Sequence, residues 1–315
     1  MTGSQVPLAL PGPDRGVGIT EALEPLISEP LVVLSALVTQ LGDPWLYFVV
    51  LTALYLGAGR TDAVDRDRAA FLVALAVGVA AVTTGLKYLF AFPRPPAPET
   101  VPGLELVPAL LQQVYVEAVL ADGFGFPSGH ALGSTAVWGG TALVVDVWTR
   151  RRRLQVAGAV VAVVALTRLT LGVHYLSDVV VGVVLGTAYL AATYRIADAG
   201  RTPERAFDVA LGATAFCLLA AGIRFEPAAI LGAAVGGWAT WRAVAEYPDR
   251  RLARREAGIG VAVAGAAVAG FGVLYSLEPT APVALVGGAV VVAGVLAAPV
   301  VGRRVGGRRP DPVRS

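Results

Sequence analysis

Lysine occurs once in this 315-residue chain, at Lys87, and cysteine once, at Cys217; histidine occurs only at His130 and His174. A lone cysteine inside an apolar run excludes an intramolecular disulfide and leaves the redox compartment unread. Charge is also scarce. Only 15% of residues are charged, where a soluble domain carries about 25%. With mean hydropathy at +0.67, that scarcity excludes an ordinary soluble domain and places the chain in a bilayer. Residues 1–20 lack a basic stretch followed by an apolar core, so no cleavable signal peptide is expected. The bias toward Arg, Ala, Val and Gly carries no functional reading of its own.

What is present is a series of apolar runs bounded by charge, Pro or Gly. They fall near 26–41, 44–59, 69–91, 130–148, 154–172, 177–194, 207–223, 227–243, 257–276 and 281–301. A transmembrane helix needs about 20 residues, so the first run is short and is expected to be interfacial or half-inserted. The fold expected is all-α, a polytopic transmembrane helical bundle. Its organisation reads as an N-terminal polar segment (1–25), a core of about six membrane segments (26–195), a C-terminal membrane region of about four helices (206–302) and a basic tail (303–315).

Arginine clusters follow every second run: Arg60, Arg66 and Arg68; Arg150 to Arg153; Arg195, Arg201 and Arg205; Arg250 to Arg255; and Arg303 onward. Ten crossings put all of them, and both termini, on the cytoplasmic side. Residues 92–129 and 168–178 then face outside, where Arg94 and Arg168 break the rule. Charges that break it near membrane depth mark function by default. Within the long outer connection, Leu106 to Leu120 is expected to form a helix on the interface, packed as a cap.

Three polar clusters reach that outer face. The first, Lys87 to Pro95, ends the third run; the second, Pro127-Ser128-Gly129-His130, opens the fourth; the third, Arg168 to Asp178, joins the fifth and sixth. Ser128 is a good helix N-cap, and Gly129 lets a ligand approach the backbone. The free N–H groups of such a helix start bind anions. Lys87, Arg94 and Arg168 add three cations around it. A phosphoryl group in flight spreads negative charge over its oxygens and is stabilised mainly by positioned positive charge. Planar guanidinium forks suit those oxygens.

His174 and Asp178 are four residues apart, so on a helix they share a face. Asp178 would hold one ring nitrogen, leaving the other unprotonated as a nucleophile toward phosphorus. His130 is then the candidate general acid. Two histidines and an aspartate could also ligate zinc, but three neighbouring cations oppose a divalent metal, so no metal and no cofactor is expected.

These clusters read Lys-x6-Arg-Pro, Pro-Ser-Gly-His and Thr-Arg-x5-His-x3-Asp. The pattern resembles the three motifs of the type 2 phosphatidic acid phosphatase (PAP2) superfamily, which also holds bacterial acid phosphatases and vanadium haloperoxidases. The resemblance covers about 26–195, and Thr167 stands where the motif has Ser. It implies a PAP2/haloperoxidase-like core of the membrane-bound lipid phosphatase branch. It also implies a metal-independent phosphatase acting through phosphohistidine at His174, with His130 as acid. Phosphate would be bound by Lys87, Arg94, Ser128, Gly129 and Arg168.

The expected substrate is a lipid phosphomonoester or polyprenyl diphosphate at the external face of the cell membrane. Membrane lipids are the other partners, nucleic acid is not one, and a homo-oligomer is left open. A phosphotransferase using the same site is the alternative within enzymes; a non-catalytic phospholipid-binding transporter or scaffold is the alternative outside them. The last four runs lie beyond the resemblance. Their expected role is packing, dimerisation or shaping lipid access, and the small-residue stretches Gly232 to Gly237 and Gly258 to Gly272 suit close helix contacts.

Overall fold

The helix starts obey local chemistry. Asp65 opens α3 (Arg66–Phe90) by accepting from the Arg68 backbone N–H at 2.7 Å, and Thr149 accepts from that of Arg152 at 3.4 Å to open α6 (Arg150–Thr170). In this computed structural model, which describes Arg15, Gly18 and residues 26–58, 62–247 and 252–306, the remaining helices are α1 (Glu29–Val38), α2 (Pro44–Gly57), α4 (Gln112–Val119), α5 (Gly129–Val144), α7 (Leu176–Ile196), α8 (Pro203–Ala221), α9 (Phe225–Val244), α10 (Arg254–Leu277) and α11 (Ala281–Gly306). The chain is thus an all-α bundle. The basic tail expected beyond residue 306 and most of the N-terminal segment lie outside the described residues.

All ten expected runs are helical, but they are not ten equal spans. Among the described residues, α3, α6, α7, α10 and α11 are long and apolar enough to cross a membrane. At 16 residues, α5 is about 24 Å long, short of a hydrocarbon core of about 30 Å. The start of α8 is loaded with Glu204, Arg205 and Asp208. The first two runs form one bent unit: residues 29–42 and Pro44–Gly57 meet at 47° and together qualify as a single broken span or a re-entrant loop. Asp43 occupies the break.

Leu106 to Leu120 is less regular than expected. It forms two short 3-10 turns and then α4, because Pro108 interrupts it. Its Val107, Tyr115 and Val119 pack on Val32 and Ala36 of α1 and on Leu171 and Val173, so it is a cap over the connection that carries His174.

Around α3 a single apolar core draws on α2, α5 and α7 on one side and on α8 to α11 on the other. Arg66 fastens the two: buried at the start of α3, it donates to the carbonyls of Val244 and Tyr247, its guanidinium lies over Trp241, and Tyr55 donates to the Leu296 carbonyl at 2.9 Å. The first small-residue stretch serves this packing. A Cβ at Gly232 or Gly236 would strike Leu285 or Ala289 of α11, so α9 and α11 touch backbone to backbone. The second does so at one point: a Cβ at Gly260 would stand 3.2 Å from the Ala298 carbonyl of α11, while Gly258, Gly265, Gly270 and Gly272 meet nothing within 4 Å among the described residues.

Candidate active site

Two glycines on α7 bring the site together. A Cβ at Gly182 would stand 2.8 Å from the Ser128 carbonyl, and one at Gly186 would stand 2.6 Å from that of Leu132. Their absence of side chain lets the start of α5 lie against α7, where the Ser128 N–H donates to the Asp178 carbonyl at 2.9 Å. The Phe126–Pro127 peptide ahead of it is cis. Ser128 caps α5 by accepting from the Ala131 N–H at a long 3.5 Å. The helix start, with its free N–H groups, therefore opens next to His174.

His174 is buried in the turn between α6 and α7. Its Nδ1 lies 3.5 Å from Asp178 Oδ2, within ion-pair range though off hydrogen-bond geometry. Its Nε2 lies 3.0 Å from Arg94 Nη1. A guanidinium can only donate, so Nε2 carries the lone pair and Nδ1 the proton. Burial, and then the positive charge of Arg168, Arg94 and Lys87, holds this imidazole well below its ordinary pKa. It is neutral at physiological pH.

The cations come from three elements. Arg94 also donates through Nε to the Asp122 carbonyl and through Nη1 to the Val173 carbonyl, both at 2.9 Å, which fixes its fork. Arg168, buried on the last turn of α6, donates to Thr39 Oγ1 at 2.8 Å, while its Nε meets no hydrogen-bond partner among the described residues. Lys87, on the last turn of α3, is close enough to Arg94 and Arg168 to be repelled by both. A Cβ at Gly129 would come within 3.9 Å of Lys87 Nζ and 3.0 Å of Thr83, so the bare backbone there keeps the anion site open. Like charges gathered this tightly are arranged for an anion. Among the described residues no group of three or more His, Cys, Asp and Glu side chains could hold a metal ion.

Each residue singled out from the sequence thus lies in one place: Lys87, Arg94, Ser128, Gly129, His130, Arg168, His174 and Asp178. Thr167 stands apart, its hydroxyl donating to the Val164 carbonyl at 2.7 Å within α6. Three residues missed by sequence reasoning join the site. Asp43, at the break between α1 and α2, faces His130, with Oδ2 3.3 Å from Nε2. The Gly42-Asp43-Pro44 turn was its available signal, a carboxylate between two apolar runs. Glu226, in the first turn of α9, accepts from Thr84 Oγ1 at 2.9 Å one turn below Lys87. Arg15 is buried against Asp178, Nη1 to Oδ1 at 2.7 Å, and its guanidinium lies over the rings of Phe92 and Tyr175. Arg15 thus lies at the Asp178 end of the bundle, tied to the site by this ion pair.

Residues 68–201 match the family model described as the PAP2 superfamily, a span that holds every motif residue above. No curated protein and no solved structure matches the chain. The match to the PAP2 superfamily thus covers residues 68–201, rather less than half of the chain, and it supports an activity of the phosphatase type.

Proposed function

We propose that the protein is a membrane phosphatase that hydrolyses a lipid phosphomonoester or polyprenyl diphosphate through a phosphohistidine, without a metal. The observation that carries this reading is the fixed tautomer of His174: Nδ1 toward Asp178, and the Nε2 lone pair within reach of Arg94 in a ring of cations. In the first step Nε2 attacks phosphorus, an N–P bond forms and the ester P–O bond breaks. His130 gives its proton to the leaving oxygen. Arg94, Arg168, Lys87 and the N–H groups at the start of α5 carry the charge of the equatorial oxygens. In the second step His130 takes a proton from water, the water oxygen attacks phosphorus, the N–P bond breaks and phosphate leaves. Asp43 stabilises His130 whenever it is protonated.

The site lies at the opposite end of α6 from Arg150 to Arg153, which supports an outward-facing centre with the arginine clusters in the cytoplasm. Purified protein with chelator present is expected to release phosphate from a lipid phosphate, to be inhibited by vanadate, and to lose turnover on His174→Ala. Wild-type turnover in that variant would sink the mechanism.

A further inference from the structure

A cavity of about 330 Å³ begins at Lys87, Gly129 and His130 and runs away from the cations. It follows one face of α3, past Thr84, Ala80, Val77 and Ala76 to Val73. Those spacings of three and four keep to a single helix face. From Lys87 to Val73 the slot is about 21 Å long at the rise of an α-helix. Beyond its polar mouth the walls are apolar. Phe48 of α2 and Val73 of α3 line it together with a second group from the C-terminal helices, Ile230, Phe271, Val292 and Val295, and the Phe48 and Phe271 rings stack on each other 5.1 Å apart. That second group comes from α9, α10 and α11, outside residues 68–201.

We propose that this slot binds the apolar chain of the substrate, and that the substrate carries its phosphate on a single long chain rather than two. This deepens, and rests on, the phosphatase reading above. Continuity with Lys87 and His130 places a chain in the slot whenever the phosphoryl group is at His174. The small volume relative to length leaves room for one chain. A chain leaving lipid for an apolar slot gains little hydrophobic energy, since both surroundings are apolar. The slot therefore selects by shape: it excludes a second chain rather than pulling in the first.

The test compares three phosphate esters with the full-length protein in detergent: a long single-chain alkyl phosphate, butyl phosphate, and a two-chain phosphatidic acid. Wild type is expected to favour the long single chain over the two-chain lipid in kcat/KM. Ala76→Phe on α3 and Ala233→Leu on α9, both half-buried wall positions, are expected to lower kcat/KM for the long chain by about 10–200-fold, the usual effect of changing the fit of a hydrophobic pocket. Butyl phosphate should be turned over as before, which shows that the variants are folded. Equal losses for both esters, or a wild type that prefers two chains, would overturn the slot while leaving the phosphatase intact. No phosphate release from any ester by wild type would instead overturn the phosphatase reading. The slot is then read by photocrosslinking an alkyl phosphate labelled at its chain end. Adducts near Val73 and Val295 support it, and adducts confined to the outer face of α6 overturn it.

Arg15 carries a second, independent inference. Asp178 Oδ2 accepts from the Tyr175 N–H at 3.0 Å and faces His174, while Oδ1 is held by Arg15, whose own carbonyl accepts from Ser177 Oγ at 3.2 Å. We infer that Arg15 is a positioning residue that fixes the carboxylate plane of Asp178 and, through it, the His174 ring. Arg15→Ala is expected to lower kcat with KM little changed, and Arg15→Lys or added guanidinium to restore part of it. Unchanged or raised kcat in Arg15→Ala, or a loss carried by KM alone, would overturn this role.

Discussion

Two histidine–aspartate pairs belong to this site, and they are built in different ways. His174 and Asp178 share one turn, are 1% and 0% exposed, and are enclosed by cations. His130 and Asp43 meet from distant elements and remain 21% and 29% exposed. Burial and the charge of Arg168 hold both imidazoles below their ordinary pKa, His130 at about 4, but at His130 the Asp43 carboxylate opposes the shift. In the proposed mechanism the same residue types are divided into nucleophile and acid, and the enclosed pair takes the first role.

That contrast can be broken most forcefully at the nucleophile. His174→Ala should lower kcat by on the order of 10⁴-fold or more, as when a catalytic nucleophile is removed elsewhere, and burst measurements should show no phosphoenzyme. Asp178→Asn, which removes the tautomer control, should cost roughly 10³–10⁴-fold with protein yield unchanged. His130→Ala should cost about 10²–10⁴-fold with alkyl esters. With p-nitrophenyl phosphate, whose leaving group needs no proton, the deficit in the first step should shrink; an equal deficit with both would remove His130 from the acid role. Asp43→Asn should have the smallest effect, a few-fold to about tenfold, as befits a partly exposed ion pair.

The pH profile sharpens the same difference. A histidine held well below its usual value stays neutral as the medium is acidified past pH 6.5, so protonation of His174 should not limit kcat/KM there. Any acid limb belonging to the nucleophile falls at distinctly lower pH. Replacing Arg168 with Gln removes one of the charges that hold it down and should move that limb upward. An acid limb centred near 6.5 in wild type and unmoved in Arg168→Gln would place His174 in an ordinary environment.

Much of this site was legible because its parts are local. Lys87 with Arg94, Ser128 with Gly129, and His174 with Asp178 each lie within a turn or a short loop, so spacing alone reveals them. Apolar runs revealed the helices equally well, since hydropathy is a property of each segment alone. What hid was whatever depended on one segment meeting another. Asp43 reaches His130 only because two short runs bend at Pro44. Arg15 meets a partner 163 residues away, and Glu226 meets Thr84 across 142. The length of each run did not reveal which helices span, because α5 is held by packing rather than by its own 16 residues.

Arg66 shows what such distant contacts mean for a chain made from one end. Its acceptors on Val244 and Tyr247 follow it by 178 and 181 residues. During synthesis Arg66 can already donate through Nε to Tyr55 Oη, 3.2 Å away, but its two carbonyl acceptors arrive only once α9 has emerged and docked. Residues 68–201 carry the motifs, yet they are finished well before the helix on which Lys87 rides can settle. The C-terminal helices therefore complete the anchoring of α3 only after every motif residue has been made, and Glu226 reaches Thr84 in that same late stage.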